Sequence, residues 1–266
     1  MAGVDVEELA ALAARVASAA AELLTTGLAV DRPAISTKSS ATDLVTEMDG
    51  RAEELIVTEL GRARPDDAVL GEEGGAREGR SGIRWLVDPI DGTTNYHYGF
   101  PGFAVSVAAE ADGRSVAAAV ADPMHGDLFE ATLGGGARCN SRPISVTDET
   151  DLATSLVGTG FSYEAERRRR QAEVLTTVLP QVRDIRRMGA AAVDLCWVGC
   201  GRLDGFYERG LAPWDMAAGS LVAAEAGALV TDLHHGPPST EFVLAATPGI
   251  HDRLRRLLTE AGAGLA

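Results

Sequence analysis

The chain has 266 residues, 45% of them apolar, which fits one large or two modest domains with a packed core and excludes a disordered protein. Its net charge of -15 argues against a nucleic-acid binder, which needs a cationic face for the phosphate backbone. Three cysteines, Cys139, Cys196 and Cys200, are too few and odd in number for a disulfide framework, and point to a reducing compartment.

Residues 5–26 read as an amphipathic helix, with Leu9, Leu12, Val16, Ala20 and Leu23 at helical spacing. Asp5, Glu7 and Glu8 stand where a signal peptide carries basic residues. Arg15 and Glu22 interrupt the Ala-rich stretch, so a cytoplasmic location without a membrane span is expected. The Pro-, Ser- and Thr-rich segment from Asp31 to Thr42 reads as an active-site flap containing Lys38. A second helix is expected from Thr46 to Leu60, broken by Arg64-Pro65-Asp66-Asp67.

Ala68-Val69-Leu70 reads as a short strand ending at Gly71-Glu72-Glu73. Ile83 to Asp88 reads as another, ending on Asp88. Residues 103–109 and 115–122 suggest a hairpin about Asp112-Gly113, and 127–147 further antiparallel strands turned at Gly134-Gly135-Gly136 and Asn140-Ser141. Beyond Asp148 the pattern becomes α/β: a strand over Ser155–Gly158, a helix carrying Arg167 to Arg170, and helices from Ala190 to Cys200 and Asp215 to Ala226. A boundary near 148 divides the chain into 1–148, α+β, and 149–266, α/β. Cys196 and Cys200 share a helix face and read as buried small hydrophobes rather than metal ligands.

Acidic residues gather at strand ends and helix starts: Glu72-Glu73, then Asp88 and Asp91, then Asp215 after Pro213-Trp214. Like charges repel, so such a gathering calls for hard cations; Mg2+ takes oxygen ligands from a few carboxylates, water and substrate phosphate. Pro89 fixes φ and turns the chain after Asp88, so that Asp88, the Ile90 carbonyl and Asp91 can face one site. Gly92-Thr93-Thr94 adds little bulk and allows backbone N–H groups to approach a phosphate.

Asp88-Pro89-Ile90-Asp91-Gly92-Thr93-Thr94-Asn95 resembles the first signature of the inositol monophosphatase family, and Trp214-Asp215-Met216-Ala217-Ala218-Gly219 its second. Gly71-Glu72-Glu73 and Asp43-Leu44-Val45-Thr46-Glu47-Met48-Asp49 match two further motifs in the expected order. The resemblance covers about Lys38 to Gly227. It implies a five-layered αβαβα sandwich, with most metal ligands in residues 1–148 and Asp215 and the substrate-alcohol contacts in residues 149–266. It also implies two to three Mg2+ ions: one held by Glu72, Asp88 and the Ile90 carbonyl, a second by Asp88, Asp91 and Asp215, and a weak third near Glu72.

The resemblance further implies that Glu72, Thr93 and Asp49 orient and deprotonate the attacking water, and that Lys38 neutralises phosphate charge. Asp91, Gly92, Thr93, Gly189, Ala190, Ala191, Glu208 and Asp215 would contact the substrate. The activity expected is hydrolysis of myo-inositol monophosphate by a lithium-sensitive enzyme, with a small phosphorylated polyol as ligand and a homodimer as assembly. Fructose-1,6-bisphosphate, histidinol phosphate and adenosine 3',5'-bisphosphate are alternative substrates. A regulatory, RNA-associated role is an alternative of another class. Ala190 stands where many relatives carry Ser or Thr, which weakens the inositol assignment. Arg167 to Arg170, with Arg183, Arg186 and Arg187 nearby, reads as a solvated helix face or as a contact for a second phosphate or a partner.

Overall fold

Residues 5–28, 35–37 and 44–265 are described by the structure, a computed structural model. The helices are α1 Val6–Leu28, α2 Glu47–Ala63, α3 Thr93–Tyr98, α4 Ala165–Val178, α5 Ala191–Gly199, α6 Pro213–Glu225 and α7 Pro248–Glu260. The strands are β1 Ile35–Thr37, β2 Leu44–Thr46, β3 Ala68–Gly71, β4 Ala76–Arg77, β5 Ile83–Asp91, β6 Ala104–Ala111, β7 Arg114–Asp122, β8 Asp127–Thr132, β9 Gly136–Cys139 and β10 Arg142–Pro143. They continue with β11 Leu156–Thr159, β12 Asp184–Arg186, β13 Gly205–Glu208, β14 Leu229–Thr231 and β15 Val243–Ala246.

Strand alternation builds the layers. On β5 and β6, Trp85, Val87, Val105 and Val107 point to one side, where α1 and α2 supply Leu12, Val16, Leu24 and Ile56. Leu86, Ala104 and Ala108 point to the other, against Val193 and Cys196 of α5 and Leu221 and Val222 of α6. Because both faces are covered at the middle of this sheet, β6 and β7 are mostly apolar rather than alternating with polar residues. The opposite sides of α5 and α6 pack Leu195, Val198 and Ala223 on Phe206, Val243 and Ala245 of a second sheet. Beyond it, Val157 and Leu244 meet Val174 and Val178 of α4 and Ile250 and Leu254 of α7. Helix, sheet, helix, sheet, helix is the five-layered arrangement.

The first sheet has the order β10-β9-β8-β7-β6-β5-β3-β4, with β3 parallel to β5 and the other pairs antiparallel. The second has the order β12-β11-β13-β15-β14. The sequence reading missed β12 to β15 and α7; their strands are only three or four residues long, too short to show a period. The antiparallel strands expected up to residue 147 end at Pro143.

Among the described residues, α1 is the one helix with the length and hydropathy of a membrane span, and 56% of its apolar window is buried inside the fold. Ala13, Ala17 and Ala20 are fully buried and let it lie close to the sheet. An Ala17→Leu change would overpack that contact, at about 1–3 kcal/mol. Trp85, also fully buried, donates its Nε1–H to Asp67 Oδ2 at 2.9 Å, and Arg64 Nε meets the same carboxylate oxygen at 2.9 Å. Burial pushes the Asp67 carboxyl up, but Arg64, Ser81 and Trp85 outweigh it and hold the group below its ordinary value. β1 and β2 pair as an antiparallel hairpin. Lys38 and the rest of 38–43 lie outside the described residues.

Candidate active site

Because β3 and β5 are parallel neighbours, their C-terminal ends lie together. Glu72 directly follows β3, and its N–H donates to the Val87 carbonyl at 3.2 Å. The loop carrying Glu72 is held from α2 by Glu53, whose carboxylate accepts the Glu73 N–H at 2.8 Å and the Gly75 N–H at 2.7 Å. A Cβ on Gly71 or Gly75 would come within 2.1 or 2.5 Å of that carboxylate, so the glycines make its room. Glu53 escaped the sequence reading. Its signal was present: it lies four residues after Asp49, on the helix face that also buries Ile56 and Leu60.

β5 does not end on Asp88, as expected, but runs on to Asp91 with a register shift between the two. Pro89 has no N–H for the ladder, so the strand bulges instead of stopping. The Ile90 N–H turns back to Asp88 Oδ1 at 3.0 Å. Asp91 reaches across to α5, accepting the Ala191 N–H at 3.1 Å and the Ala192 N–H at 2.7 Å. It thereby caps a helix whose own N-cap, Ala190, has no polar side chain. Gly92 adopts φ 91°, and a Cβ there would meet the Gly102 carbonyl at 2.7 Å.

α3 then opens with Thr93. Its Oγ1 lies 3.1 Å from Asp49 Oδ1 on α2 and 3.1 Å from the Ile90 carbonyl. One hydroxyl proton serves one acceptor at a time, and the buried carboxylate is the stronger. Asp215, in the first turn of α6, accepts the Ala212 N–H at 2.7 Å, one half of a capping box. Ser106 of β6 donates to the Trp214 carbonyl at 3.1 Å and fastens the start of that helix to the first sheet.

These placements bring carboxylate oxygens of Glu72, Asp88 and Asp215 within 4.8 Å of one another. Burial, then the charges of Glu72, Asp91 and Asp215, raise the Asp88 carboxyl well above its ordinary range. Burial likewise raises Asp215, with Asp91 and Glu72 adding to it. Burial pushes Asp91 up to about 7, although the Ala192 and Ala191 N–H groups oppose the shift. Close, half- to fully buried, and all hard oxygen, this donor set suits a small divalent cation such as Mg2+, which would replace the protons the acids otherwise hold. Asp91 and the Ile90 carbonyl border the same space.

The acids border a cavity of about 280 Å3, whose opposite wall comes from residues 160–164 and 208–211 with Arg167, Arg187, Gly189 and Ala191. Gly189, Ala191 and Glu208 line it, together with Gly92, Thr93 and Asp215. Ala190 does not: it is 1% exposed, beneath the wall and against Gly92. Glu208 occupies space that a Cβ on Gly160 would fill, and burial pushes its carboxyl up to about 8 against the opposing pull of Arg187. The arginine run divides. Arg169 and Arg170 pair with acids on the outer face of α4 and Arg168 donates to the Ser162 carbonyl, whereas Arg167 lines the cavity.

The chain and its fold match known proteins. Residues 5–263 match the model of the Inositol monophosphatase family. The chain is 46% identical over 239 residues to an inositol-1-monophosphatase of Mycobacterium leprae, covering 83% of this chain and 80% of that one. It is 41% identical over 203 residues to the Nus factor SuhB of Vibrio cholerae, covering 76% of each. The crystal structure of the extragenic suppressor protein suhB from Bartonella henselae superposes with a TM-score of 0.91 at 36% identity, covering 95% of this chain and 99% of that one.

Proposed function

The chain belongs to the inositol monophosphatase family, and from that premise we propose that it is a Mg2+-dependent phosphomonoesterase of small phosphorylated polyols, with myo-inositol monophosphate the first substrate to try. The observation that carries this reading is the approach of Glu72, Asp88 and Asp215 within 4.8 Å, in a cavity that also holds Thr93. Glu72, Asp88, Asp91, Asp215 and the Ile90 carbonyl would hold two or three ions. When bound, such ions offset phosphate charge, acidify a nearby water and stabilise the leaving alkoxide.

The chain's own groups do the rest. Asp49 accepts the Thr93 hydroxyl proton, leaving the Thr93 oxygen lone pairs free to orient an attacking water and accept its proton. Water attacks phosphorus, the P–O bond to the alcohol breaks, and the alkoxide takes a proton. Glu208 and the backbone of Gly189 and Ala191, which line the cavity, would hold the alcohol's hydroxyls. Lys38, outside the described residues, would contact the phosphate, as the family resemblance implies.

The test is a phosphate-release screen over inositol monophosphate, fructose-1,6-bisphosphate, histidinol phosphate and adenosine 3',5'-bisphosphate, with and without Mg2+. Mg2+-dependent release is the expected result, and no release from any ester removes the reading. The Nus factor name borne by a 41% identical relative supports a second reading, a binding role in which chemistry is dispensable. RNA binding that persists in Asp88→Asn would carry that one.

A further inference from the structure

Residues 160–164 line the cavity opposite the acids, yet they run between β11 and α4 outside any strand or helix. Backbone N–H and C=O groups in such a stretch need partners from elsewhere. α4 supplies them. Its inward face buries Gln171, Val174 and Val178 at helical spacing. Packing alone would be served by an apolar residue at 171, but a glutamine stands there, 9% exposed. Its Oε1 accepts the Ser162 N–H at 2.9 Å, and Arg168 Nη1 donates to the Ser162 carbonyl at 3.0 Å. Two side chains of one helix thus hold both backbone groups of one loop residue. The Glu164 N–H donates to Ser162 Oγ at 3.1 Å and fixes the turn into α4.

The loop lies directly on Glu208. A Cβ on Gly160 would come within 2.1 Å of the Glu208 carboxylate, so the loop backbone sets the room that this group has. Gln171 borders, with Gly160, Phe161 and Glu208, a small crevice behind the wall. Phe161, Ser162 and Tyr163 line the cavity beside Glu208. The acids opposite have separate supports: Glu53 holds the loop of Glu72, and Ser106 holds the start of the helix that carries Asp215. The two sides of the cavity are therefore positioned independently. A misplacement of about 1 Å in a wall that orients a bound group is enough to weaken that group's hold.

We infer that Gln171 and Arg168 are positioning residues, which hold the 160–164 loop over Glu208 as the wall against which the alcohol half of the substrate is fitted. The inference rests on the phosphatase reading above and names what sets its specificity for the alcohol. The phosphate half, held at the acids, does not depend on this clamp.

The experiment measures KM for myo-inositol 1-phosphate and for fructose-1,6-bisphosphate, and the Ki of inorganic phosphate, with the Mg2+-loaded full chain. The proteins are the unaltered chain, Gln171→Met and Arg168→Met, in which an unbranched side chain replaces the polar one. In Gln171→Met the KM of the ester that is cleaved should rise about tenfold, the factor that corresponds to one buried N–H left without its acceptor. Arg168→Met should raise it in the same direction, and decides the matter if Gln171→Met does not fold. The Ki of inorganic phosphate, which meets only the acids, should stay within about twofold in both. A merely structural role lowers the melting temperature and leaves KM alone, or moves KM and Ki by one factor. Either result overturns the inference and leaves the phosphatase reading standing. Cleavage of neither ester by the unaltered chain overturns both.

Discussion

Two sets of buried acids occupy the first sheet and its edges, and they are held in opposite ways. Asp67 is 1% exposed yet fully answered: Arg64 and Trp85 bond its carboxylate and keep its proton affinity low. Asp88 is as deeply buried, but its charged neighbours are other acids, and its proton affinity is high. A buried charge is tolerated when the fold supplies its partner. Where the fold supplies repulsion instead, the partner comes from outside. Asp67 is part of the framework; Asp88 is suited to a positive charge brought from outside.

The sharpest way to break this comparison is Asp88→Asn. It should lower phosphate release by about a thousandfold or more, the scale on which charge-stabilising groups act, while the metal-free melting temperature stays level or rises because a repelling charge is gone. A loss of fold in that variant would place Asp88 with Asp67. Next, Glu53→Ala leaves the Glu73 and Gly75 N–H groups without an acceptor and loosens the loop behind Glu72. The Mg2+ concentration for half-maximal activity should rise about 10- to 100-fold, the usual cost of losing support behind a ligand.

Asp67→Asn should do the converse. It weakens the pair with Arg64, at about 1–3 kcal/mol, and lowers the melting temperature while the activity of folded protein persists. The smallest effect is a matter of sign. Asp91 rises from an ordinary 3.8 to about 7, so between those values the folded chain binds the extra proton and loses stability as pH rises. Asp67, held low, loses its contribution only as pH falls into the acid range. Thermal melts of metal-free protein should therefore drop by a few degrees from pH 5 to pH 8, and Mg2+ should stabilise more at pH 8 than at pH 5. Equal stabilisation at both pH values contradicts the assignment of the acids.

The same contrast explains what the sequence could show. The corner at Asp88, Asp91, Glu72 and Asp215 was legible because each acid stands at a strand end or helix start within a few residues of a turn signal, and the layered fold followed only from the family resemblance of those motifs. The opposite wall was less so. Ala190 was placed among the contacts by the resemblance of the Gly189–Ala191 segment, yet at the extended N-cap of α5 its side chain is buried in the core. Arg167 looked like the rest of its run, since facing inward or outward on a polar helix leaves little trace in composition. Ser106 acts on a backbone group distant in sequence, and such a pairing leaves no spacing to find, whereas Glu53 was betrayed by its place on the buried face of α2.

Asp91 joins the two halves of the chain. Its carboxylate borders the acid cluster and is also the N-terminal cap of α5, 100 residues later. The complete set of acids therefore exists only once that helix has docked. A nascent chain that has made the first sheet holds Glu72 and Asp88 but cannot present the finished cage, so full affinity for metal arrives as a late proof of assembly. In the finished molecule the dependence runs both ways: an ion that draws on Asp91 also bears on the first turn of α5, and stripping it should loosen that turn before anything else.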